Sequence, residues 1–435
     1  MTHGALLQSI ATAQWADFTG EVTAIGQKSF RANGPYCKVG DICEVGPAGG
    51  RALAEVVAVD QKRVDLVPLG PTSHLRVGET VFLSHRFCDL AVGDGFASRA
   101  VDAFGTPIDG GAPIVQSSAL PAQTQTSMMK TIVPKRVETG IRAIDTLFPL
   151  AQGQRIGVFA ASGVGKTTLV EQLSRRVSCD KVVLCLIGER CREVERLWNL
   201  HTSSRGSASG SLVAATSDES ASVQIRAMRQ ALAICEHWRD RGEHVVLFVD
   251  SVTRLALALR DIGLTAGEPP ALRSYTPNVF TALPEFVERC GAISGKGSIT
   301  AIFTVLSETD EVDDPIAETM RSLLDGHIVL SRKLAERGHY PAIDVRASIS
   351  RVADQVLDAS AQELAQKLKS SVAVYEDARA MIESGLYQSG ATADVDEAIA
   401  LWPKIQNFLI HANGAATLDA SDRALRECLS NGGER

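Results

Sequence analysis

No stretch of this 435-residue sequence approaches the ~18 consecutive apolar residues of a membrane-spanning helix. The start, Met1 to Asp17, lacks both the basic and the apolar region of a secretory leader. The chain is therefore expected neither to cross a membrane nor to be secreted by that route. An excess of basic charge is also missing. The formal charge is -7, which argues against a polyanion-binding surface spread over the molecule and against nucleic acid as a partner. The nine cysteines (37, 43, 88, 179, 185, 191, 235, 290 and 428) form no Cys-x-x-Cys pair and no metal-ligand spacing with the histidines. They read as reduced cytosolic thiols. No repeat of fixed period and no low-complexity tract is present.

What is present is ordinary globular material, 45% hydrophobic and 22% charged, long enough for two or three domains. Residues 18–83 are short β-branched runs broken by turn residues, GEVTAIG, VGDICEVG, ALAEVVAVD, RVDLVPL and GETVFL, which predict a small β-barrel. Residues 84–149 read as an irregular, turn-rich connection. From Gln154 strand-like runs alternate with helical ones, the signature of a mostly parallel α/β sheet. After Arg351 only amphipathic helices follow, and the polar tail from Asn413 is expected to fray. The division is 1–88 for a β-barrel domain with a short leading helix, 89–350 for an α/β domain, and 351–435 for a helical C-terminal domain.

The segment RIGVFAASGVGKTT, residues 155–168, follows a predicted strand and opens a predicted helix, as a phosphate-binding loop requires. Ala161, Ser162, Gly163, Val164 and Gly165 would turn backbone N–H groups onto phosphate oxygens. Lys166 can neutralise the terminal phosphates, the Thr167 hydroxyl can ligate Mg²⁺, and Thr168 completes the helix start. The generic signature has Gly where this chain has Ala160. A second strand, HVVLFVD, ends in Asp250, a carboxylate suited to a Mg²⁺ water shell. Alone it is equally a strand ending in a helix cap, with Ser251 and Thr253 beside it. A third strand ends in Gly188-Glu189-Arg190 at the edge where open α/β sheets bind ligands. Glu189 could polarise an attacking water with Arg190 near the terminal phosphate, or the pair could be a surface helix start with ordinary ion pairs.

Taken with ETGIRAID (138–145), GERCREVER (188–196), AATSDE (214–219), DSVTRLALALRDIGLTAGEPPA (250–271), LLDGHIVLSRKLAERGHYPAIDVRASISRV and AIALWPKIQNFL, these stretches resemble the P-loop ATPases that include rotary ATP synthase catalytic subunits and the ATPases of flagellar and type III protein export. The export branch is the nearer, and DPIA (314–317), ASISR (347–351) and AIALWP look flagellar. The resemblance implies an enzyme that hydrolyses ATP with Mg²⁺. Glu189 would be the catalytic carboxylate, Lys166 and Thr167 the phosphate and magnesium residues, and Asp250 the second magnesium acid. Arg351 in SISRV would be an arginine finger reaching a neighbouring subunit's γ phosphate, though its neighbourhood alone also suits a structural guanidinium at a domain boundary. Tyr340 in GHYPAID would stack on adenine, with Tyr387 completing the base pocket; a buried core tyrosine is the other reading of Tyr340.

The resemblance further implies a homo-hexamer, cytoplasmic and peripheral at the inner face of the membrane. Its expected partners are a central stalk protein, a stator-like regulatory subunit docking on a leading helix at 4–18, export gate proteins, chaperones and export substrates. The loop 263–277 would face the central channel. Where flagellar relatives commonly carry Gly this chain has Ala161, and where they carry PPSVF it has Thr276-Pro277-Asn278-Val279-Phe280. Other functions fit less well: an injectisome rather than flagellar ATPase, a rotary synthase subunit, a noncatalytic ring subunit (which would lack Glu189), or an RNA-dependent hexameric helicase, which would need a basic, aromatic front domain.

Overall fold

The computed structural model describes residues 19–46, 52–70, 75–84, 89–115, 117–118, 130–131, 133–203, 209–306, 314–410 and 416–430. The leading segment 4–18 lies outside the described residues. Six strands, β1 (Gly20–Ile25), β2 (Phe30–Ala32), β3 (Ile42–Val45), β4 (Ala52–Asp60), β5 (Arg63–Pro68) and β6 (Thr80–Leu83), close into an antiparallel barrel in the order β1-β2-β5-β4-β3-β6. Side chains alternate across a strand, so one residue in two points inward. Val22, Phe30, Cys43, Val45, Val56, Leu66 and Val81 fill the interior. Closure leaves no free edge strand.

The connection 84–149 is more structured than its turn-rich composition suggests. It carries β7 (Ala91–Val92) paired with β9 (Ser117–Ser118), and β8 (Ala100–Val101), which joins the central sheet. After these come β10 (Lys130–Thr131), β11 (Val133–Val137), a buried helix α1 (Arg142–Leu147) and β12 (Leu150–Gln152), which pairs with β11. Strands of two residues are too short to show a period of two, so only pairing reveals them.

The central run alternates β13 (Arg155–Ala160), α2 (Lys166–Arg176), β14 (Lys181–Glu189), α3 (Cys191–Ser203), β15 (Ser209–Thr216), α4 (Ala221–Arg239), β16 (His244–Asp250), α5 (Val252–Thr265), α6 (Pro277–Glu288), β17 (Gly291–Ile293), β18 (Ser298–Leu306), α7 (Pro315–Leu323), β19 (Gly326–Leu330), α8 (Arg332–Glu336) and β20 (Ile349–Ser350). The sheet order is β20-β19-β13-β18-β16-β14-β15-β8, parallel from β19 to β8, with β17 and β10 added antiparallel alongside β18. Helices cover both faces, which is why β14, β16 and β18 are continuous apolar runs. Along β13, Ile156, Val158 and Ala160 face the layer holding α1, α2 and the C-terminal helices. Phe159 faces the layer of α4 to α7.

After β20 the chain is helical: α9 (Ala353–Val356), α10 (Ala359–Glu383), α11 (Ala393–Leu409) and α12 (Leu418–Leu429). The last of these corrects the expectation of a fraying tail. The Thr417 hydroxyl caps α12 by accepting from the Ala420 N–H at 3.3 Å, and Ser421, Leu425, Cys428 and Leu429 are buried on one stripe. Arg136 of β11 pairs with Asp422 at 2.8 Å, and the Leu418 N–H donates to Glu138 Oε2 at 3.0 Å. Buried positions at 421, 425 and 428–429 lie on one face and dock the helix although half of its residues are polar.

Candidate functional site

The C-terminal ends of β13, β14 and β16 meet at one edge of the sheet, and each delivers one part of the site. β13 runs into a loop in which Gly163 and Gly165 adopt φ of 81° and 96°, a region costly to any residue with a Cβ. Ala160, where the generic signature has Gly, is still in the strand, paired in register with Leu306 and Leu330. An extended residue needs no glycine, so the departure costs nothing.

Helix α2 then starts at Lys166 with Gly165 as N-cap and no capping side chain. Its first N–H groups therefore point outward without a partner in the helix, the arrangement that binds anions. Ser162, Gly163, Thr167 and Thr168 are exposed around them, whereas Ala161 and Val164 are buried beneath.

Lys166 is only 8% exposed, and its ammonium is paired with Asp250 at the end of β16. Thr304 of β18 donates to Asp250 Oδ1 at 2.7 Å, so the buried carboxylate is held from two sides. Glu189, the last residue of β14, is 7% exposed. Arg254, in the first turn of α5, brings Nη1 to 3.1 Å from Glu189 Oε2 and donates to the Gly188 carbonyl. Gly188 has φ of 67°, and a Cβ there would lie 2.9 Å from Arg254 Cδ, so glycine is required for this contact.

Burial first, then a hydrogen bond shared with Glu193 and the charge of Asp250, pushes the Glu189 carboxyl above its ordinary range, against the opposing pull of Arg254 and Lys166. That same hydrogen bond is the main reason Glu193 moves the other way. The two carboxyls thus shift in opposite directions at the sheet edge, Glu189 up and Glu193 down.

The ring of Tyr340, 45% exposed, packs against the phosphate loop: a Cβ on Gly165 would lie 3.4 Å from its Cε1. It is a surface aromatic beside the loop and not a core tyrosine. Tyr387 is engaged elsewhere, its hydroxyl donating to the Thr392 carbonyl at 3.0 Å in the turn between α10 and α11. Arg190 is exposed, and its carbonyl accepts from the N–H groups of Glu193 (2.8 Å) and Val194 (3.1 Å) in the first turn of α3.

Arg351 is not brought to this edge. Its N–H donates to the Asp325 carbonyl at 3.0 Å, and Asp325 is paired with Arg155 at the first residue of β13. The phosphate loop begins at the other end of that strand, about 17 Å away at roughly 3.3 Å per residue. Arg254 and Thr304 are the site residues that motif reading passed over. The signal for Thr304 was a hydroxyl near the C-terminal end of the apolar run SITAIFTVL, and for Arg254 its place one turn after Asp250.

The residues fit a nucleotide triphosphate and its divalent ion on the structure's own terms: unpartnered helix N–H groups, a lysine, and hard oxygen donors at Thr167 and Asp250. Comparison with known proteins agrees. The family described as ATP synthase alpha/beta, nucleotide-binding domain, matches residues 140–350, and that described as T3SS EscN ATPase C-terminal domain matches residues 357–427. A flagellum-specific ATP synthase of Treponema pallidum is 40% identical, covering 90% of this chain and 88% of that protein. The SPI-2 type 3 secretion system ATPase of Salmonella typhimurium is 42% identical, with 90% of each covered. The assembled ATPase EscN of the enteropathogenic E. coli type III secretion system superposes with a TM-score of 0.87 at 36% identity, covering 94% of this chain and all of that one.

Proposed function

Because the chain belongs to the ATP synthase alpha/beta family, in the branch of flagellum-specific and type III secretion ATPases, and hydrolyses ATP as that branch does, we propose that it is the export ATPase of a flagellar protein export apparatus. It works as a homo-hexamer in the cytoplasm, peripheral to the membrane, with domains divided at 88 and 350. The injectisome reading has its own support in the 42% identity to the SPI-2 ATPase and in the C-terminal match at 357–427.

In this reading the N–H groups of residues 161–168 and Lys166 bind the phosphates, Lys166 exchanging its Asp250 partner for the anion. Thr167 and the released Asp250 would hold Mg²⁺, which when bound offsets phosphate charge. Glu189, set by Arg254, orients the attacking water and takes up its proton, with Arg190 beside the terminal phosphate. Tyr340 packs against the adenine.

The separation of Arg351 from its own phosphate loop along β13 carries the reading that each site is completed by a neighbour's Arg351. An EscN relative has been solved as an assembly and with its central stalk EscO, which supports a ring and a stalk-type partner here. Stator-like subunit, export gate, chaperones and substrates complete the proposed set of partners. The test is ATP hydrolysis against protein concentration with light scattering alongside. Specific activity should rise as the chain assembles; activity independent of concentration in a monomeric sample removes the shared-interface site.

A further inference from the structure

Arg321, at the C-terminal turn of α7, touches two elements that the ring mechanism uses in different sites. Its backbone carbonyl accepts a 3.2 Å hydrogen bond from Nη2 of Arg351. Its guanidinium lies over the ring of Phe159, 5.1 Å from the centroid. Phe159 is the penultimate residue of β13, the strand that delivers the phosphate loop, and is 3% exposed. The His327 ring meets Phe159 edge-on at 5.7 Å, and His327 Nε2 lies 3.0 Å from the Ala347 carbonyl, four residues before Arg351.

The electrostatics favour this arrangement. Glu318, one turn back, holds Arg321 at 2.9 Å, so its charge is offset by a carboxylate and an aromatic face. Among the described residues Arg351 has no carboxylate partner. It rests on the carbonyl end of α7, where the helix dipole favours a cation. The finger's pose thus depends on where the end of α7 sits, and that end is packed on the phosphate-loop strand by the Arg321–Phe159 contact. Packing against a buried ring such as Phe159 passes a shift on to the strand that holds it.

We infer that Arg321 is a positioning residue, tying the arginine finger that a chain presents to its neighbour to the strand that carries the chain's own phosphate loop. Nucleotide held by one protomer then biases the finger it offers to the next, giving the ring a route for cooperativity between successive sites. The inference rests on the in-trans role proposed for Arg351.

The test measures steady-state ATP hydrolysis by the full chain, at a concentration where light scattering shows the assembled ring, for the wild type, R321A, R321K, F159L, R351A and the R321A/R351A double variant. R321A should lower kcat roughly 10- to 100-fold with KM for ATP changed less than about twofold, because a misplaced finger costs transition-state and not ground-state binding. R321K, which keeps a cation over Phe159, should recover most of that loss, and F159L should fall between. The double variant should be no slower than R351A alone, the non-additivity expected of residues acting through one another. Wild-type kcat in R321A, or a double variant slowed by the product of the two single effects, overturns the inference. If circular dichroism shows R321A unfolded, F159L alone and combined with R351A gives the same cycle. An active R351A ring would defeat the in-trans reading and this inference together; an inactive R351A with an unimpaired R321A defeats this inference alone.

Discussion

Nη1 of Arg254 stands 3.1 Å from Oε2 of Glu189 and also donates to the carbonyl of Gly188. One guanidinium therefore fixes both the carboxylate at the end of β14 and the peptide before it. Its cost in backbone freedom falls on Gly188, whose φ of 67° and close approach to Arg254 exclude a side chain.

Arg254→Ala should lower kcat by about 10²–10³, the range for loss of one preorganised group in a buried site. The guanidinium holds the Glu189 pKa down against burial, so its removal lets that pKa rise further. The acid limb of kcat/KM against pH should then move to higher pH. A slower enzyme with an unmoved acid limb would show that Arg254 does not act on Glu189.

Ala160→Gly restores the generic loop signature, yet Ala160 is extended and paired in β13. Activity should stay within about twofold, while the stability of the fold drops by about 0.5–1 kcal/mol from the added backbone freedom. Denaturant unfolding and ATP turnover on the same preparation read both. A large gain in turnover would mean that the loop, and not the strand, is what residue 160 controls.

Asp145 in α1 is fully buried. Its Oδ1 accepts from the Thr139 N–H at 2.8 Å and hydroxyl at 2.7 Å, while Oδ2 has no hydrogen-bond partner among the described residues. Burial pushes its carboxyl from 3.8 up to about 7, outweighing Thr139 and Arg136, which lower it. A carboxyl whose folded value is raised stabilises the fold fully below its ordinary pKa and loses that contribution as pH rises through the folded one. Between pH 4 and 7 the wild type should therefore lose about 2–4 kcal/mol relative to Asp145→Asn, which keeps an acceptor for Thr139 and does not ionise. Parallel pH–stability curves for the two proteins would mean that Asp145 does not titrate in this window.

Much of this was legible in the sequence because long apolar runs and fixed phosphate-loop spacing are local signals. HVVLFVD and SITAIFTVL are short, apolar and rich in β-branched residues, which reads as buried strand, and the loop before Lys166 announces itself through strand, glycines and helix. Tyr340 and Arg351 were reached by resemblance, and the structure puts the first against Gly165 and the second at the far end of β13. What stayed hidden depends on partners distant in sequence. Arg254 has meaning only beside Glu189, Thr304 only beside Asp250, and α12 only once Arg136, Glu138 and α1 offer it a surface. The two-residue β8 cannot be seen without Leu212 and Val213 next to it.

The central claim is that one chain supplies Glu189 and its neighbour supplies Arg351, and mixing variants tests it most directly. Glu189→Gln and Arg351→Ala rings, each prepared alone, should hydrolyse ATP at least about 10³-fold more slowly than the wild type. Dissociated and reassembled as an equal mixture, they should regain about a quarter of wild-type activity, since one interface in four then pairs an intact Glu189 with an intact Arg351 in a head-to-tail ring. No recovery from a mixture shown by native mass measurement to be co-assembled would contradict the account, and would return Arg351 to a structural role within its own chain.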